Sequence, residues 1–217
     1  MTQASVCGKN CWLEGINLAQ RDLPCSSYSV GERLDPDKGI FLICRGPVGC
    51  LWGSGPERSC LEILGAGDMW EGWSCASGGC QAWAFGEVRG HWIKEPQWLK
   101  LLHEPVVEEQ FVRSLRQRQR RQHEWQLVLA RGSIRARVAW QLLDLAERFG
   151  ERDARTGEIF VGIHLTQTQQ AQLCGSVRSQ VWEALRGFEG QRWVICSPQG
   201  FWVRDEGALR KQRFEGL

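Results

Sequence analysis

The sequence predicts a mixed α+β chain in which a long helix leads into a C-terminal unit of short helices and a hairpin. Residues 165–186, LTQTQQAQLCGSVRSQVWEALR, predict two short helices that meet at a glycine. The β-rich runs 193–195 and 201–203 flank a Ser-Pro-Gln-Gly turn and predict the hairpin. Residues 106–131 contain neither glycine nor proline and predict one continuous helix.

The helix pair follows from local signals. Thr166 is a good N-cap for the first helix, and Gly175 can take the positive φ of a sharp corner without steric cost. In the second helix Val177, Val181 and Leu185 recur every four residues, which predicts a face that docks on the rest of the unit. The opposite face is polar, as in a helix that enters the DNA major groove. An ordinary helical hairpin is the alternative.

The residues on either side of the helix pair favour DNA binding. Residues 133–150 predict a preceding helix whose apolar stripe is Val138, Leu142, Leu145 and Phe149. The predicted hairpin comes directly after the pair, in the position of a wing that contacts the phosphate backbone. An ordinary helical hairpin does not predict a β-hairpin directly after it, so this order of elements favours the DNA-binding interpretation.

Residues 133–211 resemble the winged-helix domain of the CRP/FNR family of bacterial transcription regulators. The matching pieces are RVAWQLLDLAERFG, HLTQTQQAQLCGSVRSQVWEALRGFEG and the hairpin that leads to DEGALRK. Two earlier stretches, GERLDPDKGIFLICRGPVGCLW (31–52) and LEILGAGDMWEGW (61–73), are similar to the glycine-punctuated strands of the family's β-roll sensor.

The resemblance implies an α+β architecture with an N-terminal β-roll (cyclic-nucleotide-binding-like, a double-stranded β-helix), a long dimerisation helix and a C-terminal winged helix-turn-helix. The implied parts are a cysteine-bearing segment (1–27), the β-roll sensor (28–104), the dimerisation helix (105–132) and the DNA-binding domain (133–217).

Composition agrees with a cytoplasmic regulator. The net charge is only +2, so any attraction to DNA must come from local patches. No apolar run approaches the roughly 20 residues that span a bilayer, and the N-terminus lacks the apolar core of a signal peptide. We find no nucleophile–base pairing and no phosphate-binding glycine loop, and therefore expect no enzymatic activity.

Ten cysteines are the second informative feature. Stable disulfides are rare in the cytosol, so cysteine enrichment there indicates metal binding or redox chemistry. The first half resembles the FNR branch of the family, which holds a [4Fe–4S] cluster through three N-terminal cysteines and one β-roll cysteine. The resemblance implies Cys7, Cys11, Cys25 and Cys80 as iron ligands.

The ligand set departs from that branch in two respects. The N-terminal cysteines are more widely spaced here, and His91 stands where the β-roll ligand aligns. The fourth ligand therefore stays open between Cys80, Cys75, another β-roll cysteine and His91. Zinc, haem and redox-active thiols are the alternatives to a cluster. In the C-terminal half we expect Cys174 to be a small buried hydrophobe.

Binding of cAMP is not expected. The family's cyclic-nucleotide pocket uses an arginine for the phosphate and a glutamate for the ribose. The corresponding stretch, SCASGGCQAWAF (74–85), contains neither an arginine nor an acidic residue.

The long helix carries a repeat with 4,3 spacing that is apolar at its two ends and polar in the middle. The family's matching helix pairs with its twin in a homodimer, and the predicted seam is Phe111, Leu115, Arg118, Gln122, Trp125 and Leu129. Polar groups at Arg118 and Gln122 would weaken this seam while fixing its register, which suits a switch. The alternative is that this face packs on the β-roll of its own chain.

The predicted DNA contacts cluster at the starts of the two short helices. They are Thr166, Gln167, Ser176, Arg178, Ser179, Gln180 and Glu183. The family pattern is an arginine, a glutamate and a second arginine five residues after the first. Arg178 matches the first arginine, whereas Ser179 and Glu183 replace the others. Arg178 suits guanine and Gln180 suits adenine, while Glu183 would repel a phosphate or accept from cytosine, so we expect an altered half-site.

The sequence thus predicts a homodimeric transcription regulator that binds a palindromic promoter site on double-stranded DNA and contacts RNA polymerase, without membrane attachment. It would sense oxygen or redox state through a cysteine-ligated iron–sulfur cluster. The alternative is a metal or thiol-redox protein of the same fold with altered or lost specific DNA binding.

Overall fold

The computed structural model describes residue 13 and residues 23–53, 59–71 and 80–215, and it confirms the α+β class. The chain divides into two compact units, Met1–Gln119 and Arg120–Leu217. Within the described residues, no helix combines the length and apolar character needed to cross a membrane.

The first unit contains a β-roll of two antiparallel sheets. Its strands are β1 (Cys25–Tyr28), β2 (Ile40–Arg45), β3 (Val48–Trp52), β4 (Ser59–Leu64), β5 (Met69–Glu71), β6 (Cys80–Ala84) and β7 (Val88–Ile93). They pair in the orders β1-β7-β2-β5 and β4-β3-β6. Both sheets contribute side chains to one core, called here the inner cluster: Leu34, Phe41, Ile43, Val48, Cys50, Leu64, Trp70, Ala82, Ala84 and Val88.

The first sheet is covered on its other face too. Alternate residues of a strand point to opposite faces, and β2 is apolar at both sets of positions, with Phe41 and Ile43 in the inner cluster. Helix α1 (Glu95–Leu101) and the start of helix α2 (Pro105–Arg131) cover the other face. Together they form the outer cluster: Leu13, Leu23, Ile40, Leu42, Ile93, Trp98, Leu101 and Val107.

The second unit is built on the end of α2. It continues with α3 (Ile134–Phe149), β8 (Gly150–Arg152), β9 (Ile159–Val161), α4 (Gln167–Leu173), α5 (Arg178–Gly190), β10 (Val194–Ser197), β11 (Gly200–Val203) and α6 (Glu206–Arg213). The predicted long helix, helix pair and hairpin are confirmed. Strands β8 and β9 were not predicted, and they extend the hairpin into a four-stranded sheet of order β10-β11-β9-β8.

The core of the second unit lies between α3, α5 and α6. The Ser133 hydroxyl caps α3 by accepting from the Ala136 N–H at 3.2 Å. Of the predicted α3 stripe, Val138, Leu142 and Leu145 are buried, whereas Phe149 at the end of the helix is only half-buried. The docking face of α5 is shifted from the predicted one. Val177 is its N-cap and is 59% exposed, because the helix begins one residue later.

Candidate DNA interface and sensor thiols

The start of α4 is fixed by a reciprocal cap. The Thr166 Oγ1 accepts from the Gln169 N–H at 3.2 Å, and the Gln169 Oε1 accepts from the Thr166 N–H at 2.8 Å. This capping box satisfies two backbone donors that would otherwise lack partners. The next residue, Gln167, accepts from the Arg178 guanidinium at 3.0 Å, which ties the starts of α4 and α5 together.

The corner between the two helices is held from three directions. Gly175 has φ +58°, a conformation that favours glycine, and a Cβ there would lie 2.7 Å from Leu129 Cδ1 and would displace that side chain. Arg137 donates to the carbonyl oxygens of Gly175 at 3.2 Å and Leu129 at 2.9 Å. Ser176 donates to Gln180 Oε1 at 2.8 Å. The corner is therefore anchored to the end of α2.

All the predicted contact residues of α5 are exposed. Its buried face is Val181, Ala184 and Phe188. The face opposite carries two residues that the sequence reading missed, Trp182 and Arg186, beside the predicted Ser179 and Glu183. Their i+4 and i+8 spacing from Arg178 was the signal that could have found them.

A groove separates α5 from the turn of the hairpin. Its volume is about 410 Å³, and Arg178, Trp182 and Arg186 line one side while Cys196 and Pro198 line the other. Two arginines and one acid, Glu189, are the charged side chains that line this groove, so its net charge is positive, and Trp182 makes it partly apolar. The helix N-terminus and the hairpin turn therefore form one continuous surface, as a winged helix requires.

The thiols of this unit are poorly ionisable. Burial raises the pKa of Cys174 to about 12, in agreement with the expected buried hydrophobe. Burial, followed by the nearby Glu189 carboxylate, raises the pKa of Cys196 to about 11. Because the thiolate is the reactive form of cysteine, neither residue has the character of a redox centre.

In the sensor unit the structure brings Cys25 together with His91. These residues lie directly opposite each other on β1 and β7, and His91 is also opposite Leu42 of the outer cluster. His91 is buried, and its Nδ1 lies 2.8 Å from the Leu23 carbonyl oxygen. A carbonyl oxygen can only accept, so Nδ1 carries the proton and Nε2 is the nitrogen able to bind a metal.

Cys80 lies elsewhere, which corrects its assignment beside Cys25. It begins β6 and packs against the inner cluster, on the other side of the first sheet from Cys25. Its neighbour is Cys50 of β3, two register positions away. A hydrogen bond between the Cys50 and Cys80 thiols, followed by burial and the Glu62 carboxylate, raises the pKa of Cys50 well above its ordinary value.

Three of the cysteines named as possible ligands, Cys7, Cys11 and Cys75, lie outside the described residues. In the described ranges no group of three or more His, Cys, Asp or Glu side chains is arranged to hold a metal ion. Cys25 and His91 are nevertheless a donor pair of the right chemistry, because a thiolate and an imidazole are both iron ligands.

Half of the predicted seam contacts its own chain. The Phe111 ring packs edge-on against Trp98 at 5.4 Å between centroids. Arg118 forms an ion pair with Glu62 of β4. The Trp125 ring lies 5.0 Å from that of Trp140. These three positions therefore contact their own chain, which agrees in part with the alternative.

The remaining predicted seam positions, Leu115, Gln122 and Leu129, are exposed. They also belong to a neighbouring stripe of the helix, in which positions 112, 119 and 126 take the place of positions 111, 118 and 125. This exposed stripe consists of Val112, Leu115, Gln119, Gln122, Gln126 and Leu129. Its 3,4 spacing is that of alternating a and d positions in a coiled coil.

The capped helix pair, its glycine corner and the hairpin together define a winged helix-turn-helix DNA-binding regulator. Residues 136–212 match the family described as the Crp-like helix-turn-helix domain. Over 193 residues the chain is 30% identical to the CRP-like cAMP-activated global transcriptional regulator of Mycobacterium tuberculosis, covering 85% of this chain and 84% of that relative. The chain belongs to the CRP/FNR family of transcription regulators.

Solved structures share the fold at lower identity. FixK2 from Bradyrhizobium japonicum superposes with a TM-score of 0.67 at 20% identity, covering 88% of this chain and 96% of that one. A cyclic nucleotide-binding domain containing protein from Listeria monocytogenes gives a TM-score of 0.69 at 15% identity, covering 90% and 95%. Their coverage extends the fold likeness beyond the helix-turn-helix to the sensor half.

Proposed function

We propose that this regulator senses oxygen or redox state through a [4Fe–4S] cluster held by Cys7, Cys11, Cys25 and His91. The observation that carries the proposal is the Cys25–His91 pair, in which a thiol and an imidazole face each other across β1 and β7. His91 replaces Cys80 as the proposed fourth ligand, because Cys80 lies with the inner cluster on the other side of that sheet.

Two further contacts support this site. The Leu23 carbonyl holds the Nδ1–H of His91, an arrangement typical of metal-binding histidines because it fixes the tautomer and the ring orientation. Leu13 is 3% exposed in the outer cluster, which also contains Leu42 opposite His91. Leu13, which follows Cys11 by two residues in the sequence, therefore lies on the same face of the first sheet as Cys25 and His91.

The chain's own residues set the chemistry of the site. Cys25 supplies a soft thiolate, and His91 supplies a neutral imidazole nitrogen whose basicity the Leu23 carbonyl increases. The apolar outer cluster limits access of water to the donors. A bound cluster would supply one-electron redox chemistry.

Anaerobic purification tests the cofactor directly. The wild-type protein should be brown and should contain iron and acid-labile sulfide. Cys25→Ser should lose most of both, because a serine hydroxyl is a poor substitute for a thiolate. Absorbance together with iron and sulfide assays measures the content of each variant.

Three matched variants sharpen this test. Cys196→Ser changes a thiol of the hairpin in the second unit, outside the sensor unit, and should keep the full iron content. His91→Ala should lose iron while Cys80→Ser keeps it; the reverse result would return the fourth position to Cys80. A colourless wild-type protein with stoichiometric zinc, or with the absorbance of haem, would reject the cluster.

A cAMP-gated regulator is the second candidate, because the Mycobacterium tuberculosis relative is cAMP-activated. Residues 74–85 lack the arginine and the acidic residue that such a pocket needs. In that stretch Ala82 and Ala84 are fully buried in the inner cluster and offer no charge to a phosphate. Calorimetric titration with cAMP separates the two candidates, and we expect no heat of binding.

We infer that α5 enters the major groove and that two copies of the chain read a palindromic promoter site, where they contact RNA polymerase. The exposed N-terminal turn of α5, the tied starts of α4 and α5 and the adjoining hairpin support this docking. Arg178 would read guanine, and Gln180 keeps its amide donors for a base edge while its Oε1 accepts from Ser176.

Glu183→Arg should change the DNA preference. Glu183 is exposed on the outward face of α5, where a carboxylate disfavours phosphates and guanine. The arginine restores the family pattern, so the variant should gain affinity for the common family half-site relative to wild type. Parallel gel-shift titrations with that duplex and with a scrambled duplex measure the change in affinity. Equal gains on both duplexes would show that the added positive charge, and not a base contact, causes the gain.

The homodimer seam is proposed to be the exposed stripe of α2. Val112, Leu115 and Leu129 are 38%, 47% and 38% exposed in one chain. Three glutamines lie between these apolar ends. Glutamine side chains can hydrogen-bond across a two-fold seam, but they stabilise it less than leucines do. Such a seam has the modest stability that lets a sensor signal shift the dimer population.

A further inference from the structure

Trp182 is a large aromatic side chain placed in water on the outward face of α5. It is 50% exposed, although the chain buries other tryptophans such as Trp70, Trp98 and Trp140. The core does not require an apolar residue at this position, because Val181, Ala184 and Phe188 already form the buried face of α5. An exposed indole at this position points to contact with a partner.

The surroundings of Trp182 define what it can contact. The Arg186 guanidinium lies 5.1 Å from the centroid of the indole and covers part of the ring. Ser179, one turn earlier on the same outward face, is too short to obstruct the ring. What remains available is apolar ring surface, together with one N–H donor and no acceptor.

The base edges in the major groove carry one apolar group, the C5-methyl of thymine, whereas their other groups are hydrogen-bond donors or acceptors. An indole therefore matches thymine better than any other base. We propose that Trp182, backed by Arg186, selects a thymine in the half-site through its methyl group. This inference rests on the proposed docking of α5 in the major groove.

The helix geometry also places the thymine. Trp182 lies four residues after Arg178, which is a rise of about 6 Å along the helix axis. Base pairs are spaced by about 3.4 Å. The selected thymine should therefore lie within about two base pairs of the guanine that Arg178 contacts. The planar Arg186 guanidinium can stack on the ring and still donate to a neighbouring phosphate.

Deoxyuridine substitution tests this contact because it removes only the methyl group. A duplex is first selected from a random pool with the wild-type protein, and each thymine is then replaced in turn. At one position per half-site the replacement should weaken wild-type binding by roughly fourfold, the value of one buried methyl group. Trp182→Ala should bind the thymine and deoxyuridine duplexes equally, while Trp182→Phe should retain part of the discrimination.

Two further variants separate this inference from the docking on which it rests. Arg178→Ala should weaken binding overall yet keep the deoxyuridine effect, and Trp52→Ala, which removes an exposed tryptophan of β3, should behave as wild type. If Arg178→Ala weakens binding but Trp182→Ala keeps the deoxyuridine effect, the thymine contact is overturned and the docking stands. If no sequence is selected, or no thymine position is sensitive, the inference is overturned as well.

Discussion

Replacing Arg178 with alanine should weaken binding to the selected duplex by about 5- to 150-fold for each half-site, which corresponds to a loss of about 1–3 kcal/mol per copy of the chain. Arg178 begins α5, and its Nη2 donates to Gln167 Oε1 at 3.0 Å. That bond holds the guanidinium at the helix N-terminus, where its other N–H groups can meet the O6 and N7 atoms of guanine. Gel-shift titrations with the selected duplex, and with each base pair changed in turn, measure both affinity and preference.

The pattern of losses distinguishes base reading from simple charge attraction. Arg178→Ala should relax the preference at one base pair per half-site, whereas loss of a phosphate contact weakens all sequences alike. Arg155→Ala is the matched control, because it removes the same charge from the exposed turn between β8 and β9. Gln167→Ala should give an intermediate loss. An unchanged base preference in Arg178→Ala would refute the docking of α5.

The helix-turn-helix could be predicted because its signals are local. Thr166 caps α4 through its own neighbours, and Gly175 marks the corner by its conformation. Strands β8 and β9 were missed because each has three residues, too few for an alternating pattern. In addition, β9 depends on pairing with the distant β11, and β8 pairs with β9. Trp182 was missed because a tryptophan in a helical repeat is usually core, and its exposure depends on which face α3 covers.

The sequence could not select between two stripes of α2 as the seam, for a different physical reason. Two stripes of α2 share Leu115, Gln122 and Leu129, and both have 3,4 spacing. The choice between them depends on what the rest of the chain covers. Trp98, Glu62 and Trp140, all distant from their partners in sequence, cover one stripe and leave the other exposed. No property of the helix sequence alone carries that information.

The proposed metal ligands of the sensor unit likewise could not be assigned from the sequence alone. The sequence offers Cys25 as a ligand through the family template and Cys80 as one candidate for the fourth position. The structure places these two cysteines on opposite sides of the first sheet, Cys25 facing the outer cluster and Cys80 the inner cluster. A shift of one residue in strand register would reverse the face of either. His91 was identified by the family alignment, whereas its contact with the Leu23 carbonyl required the structure.

The double substitution Gln119→Leu with Gln122→Leu should lower the dissociation constant of the dimer by at least about 100-fold. Both residues are exposed in one chain and occupy central positions of the exposed stripe. Full burial of one leucine side chain contributes about 1.5–3 kcal/mol, and the dimer gains four leucines. A 100-fold change is about 2.7 kcal/mol, so burial of less than half of each side chain is enough to produce it. Analytical ultracentrifugation over a range of concentrations, in air and under anaerobic conditions, measures the monomer–dimer balance. DNA binding by the tightened dimer should also become less sensitive to oxygen.

Gln117→Leu is the matched control, since it adds the same side chain to the same helix outside the exposed stripe; it should change the dissociation constant by no more than about twofold. Arg118→Leu distinguishes the two assignments of the seam. In the structure Arg118 is the ion-pair partner of Glu62, and both side chains are about one-third exposed. Its loss should lower the thermal stability of the first unit, because Glu62 then keeps a partly desolvated charge without its cation. If Arg118→Leu drives dimerisation while the double glutamine variant sediments as wild type, the seam is the stripe that includes Phe111 and Trp125, and the intrachain contacts of that stripe must open when the dimer forms.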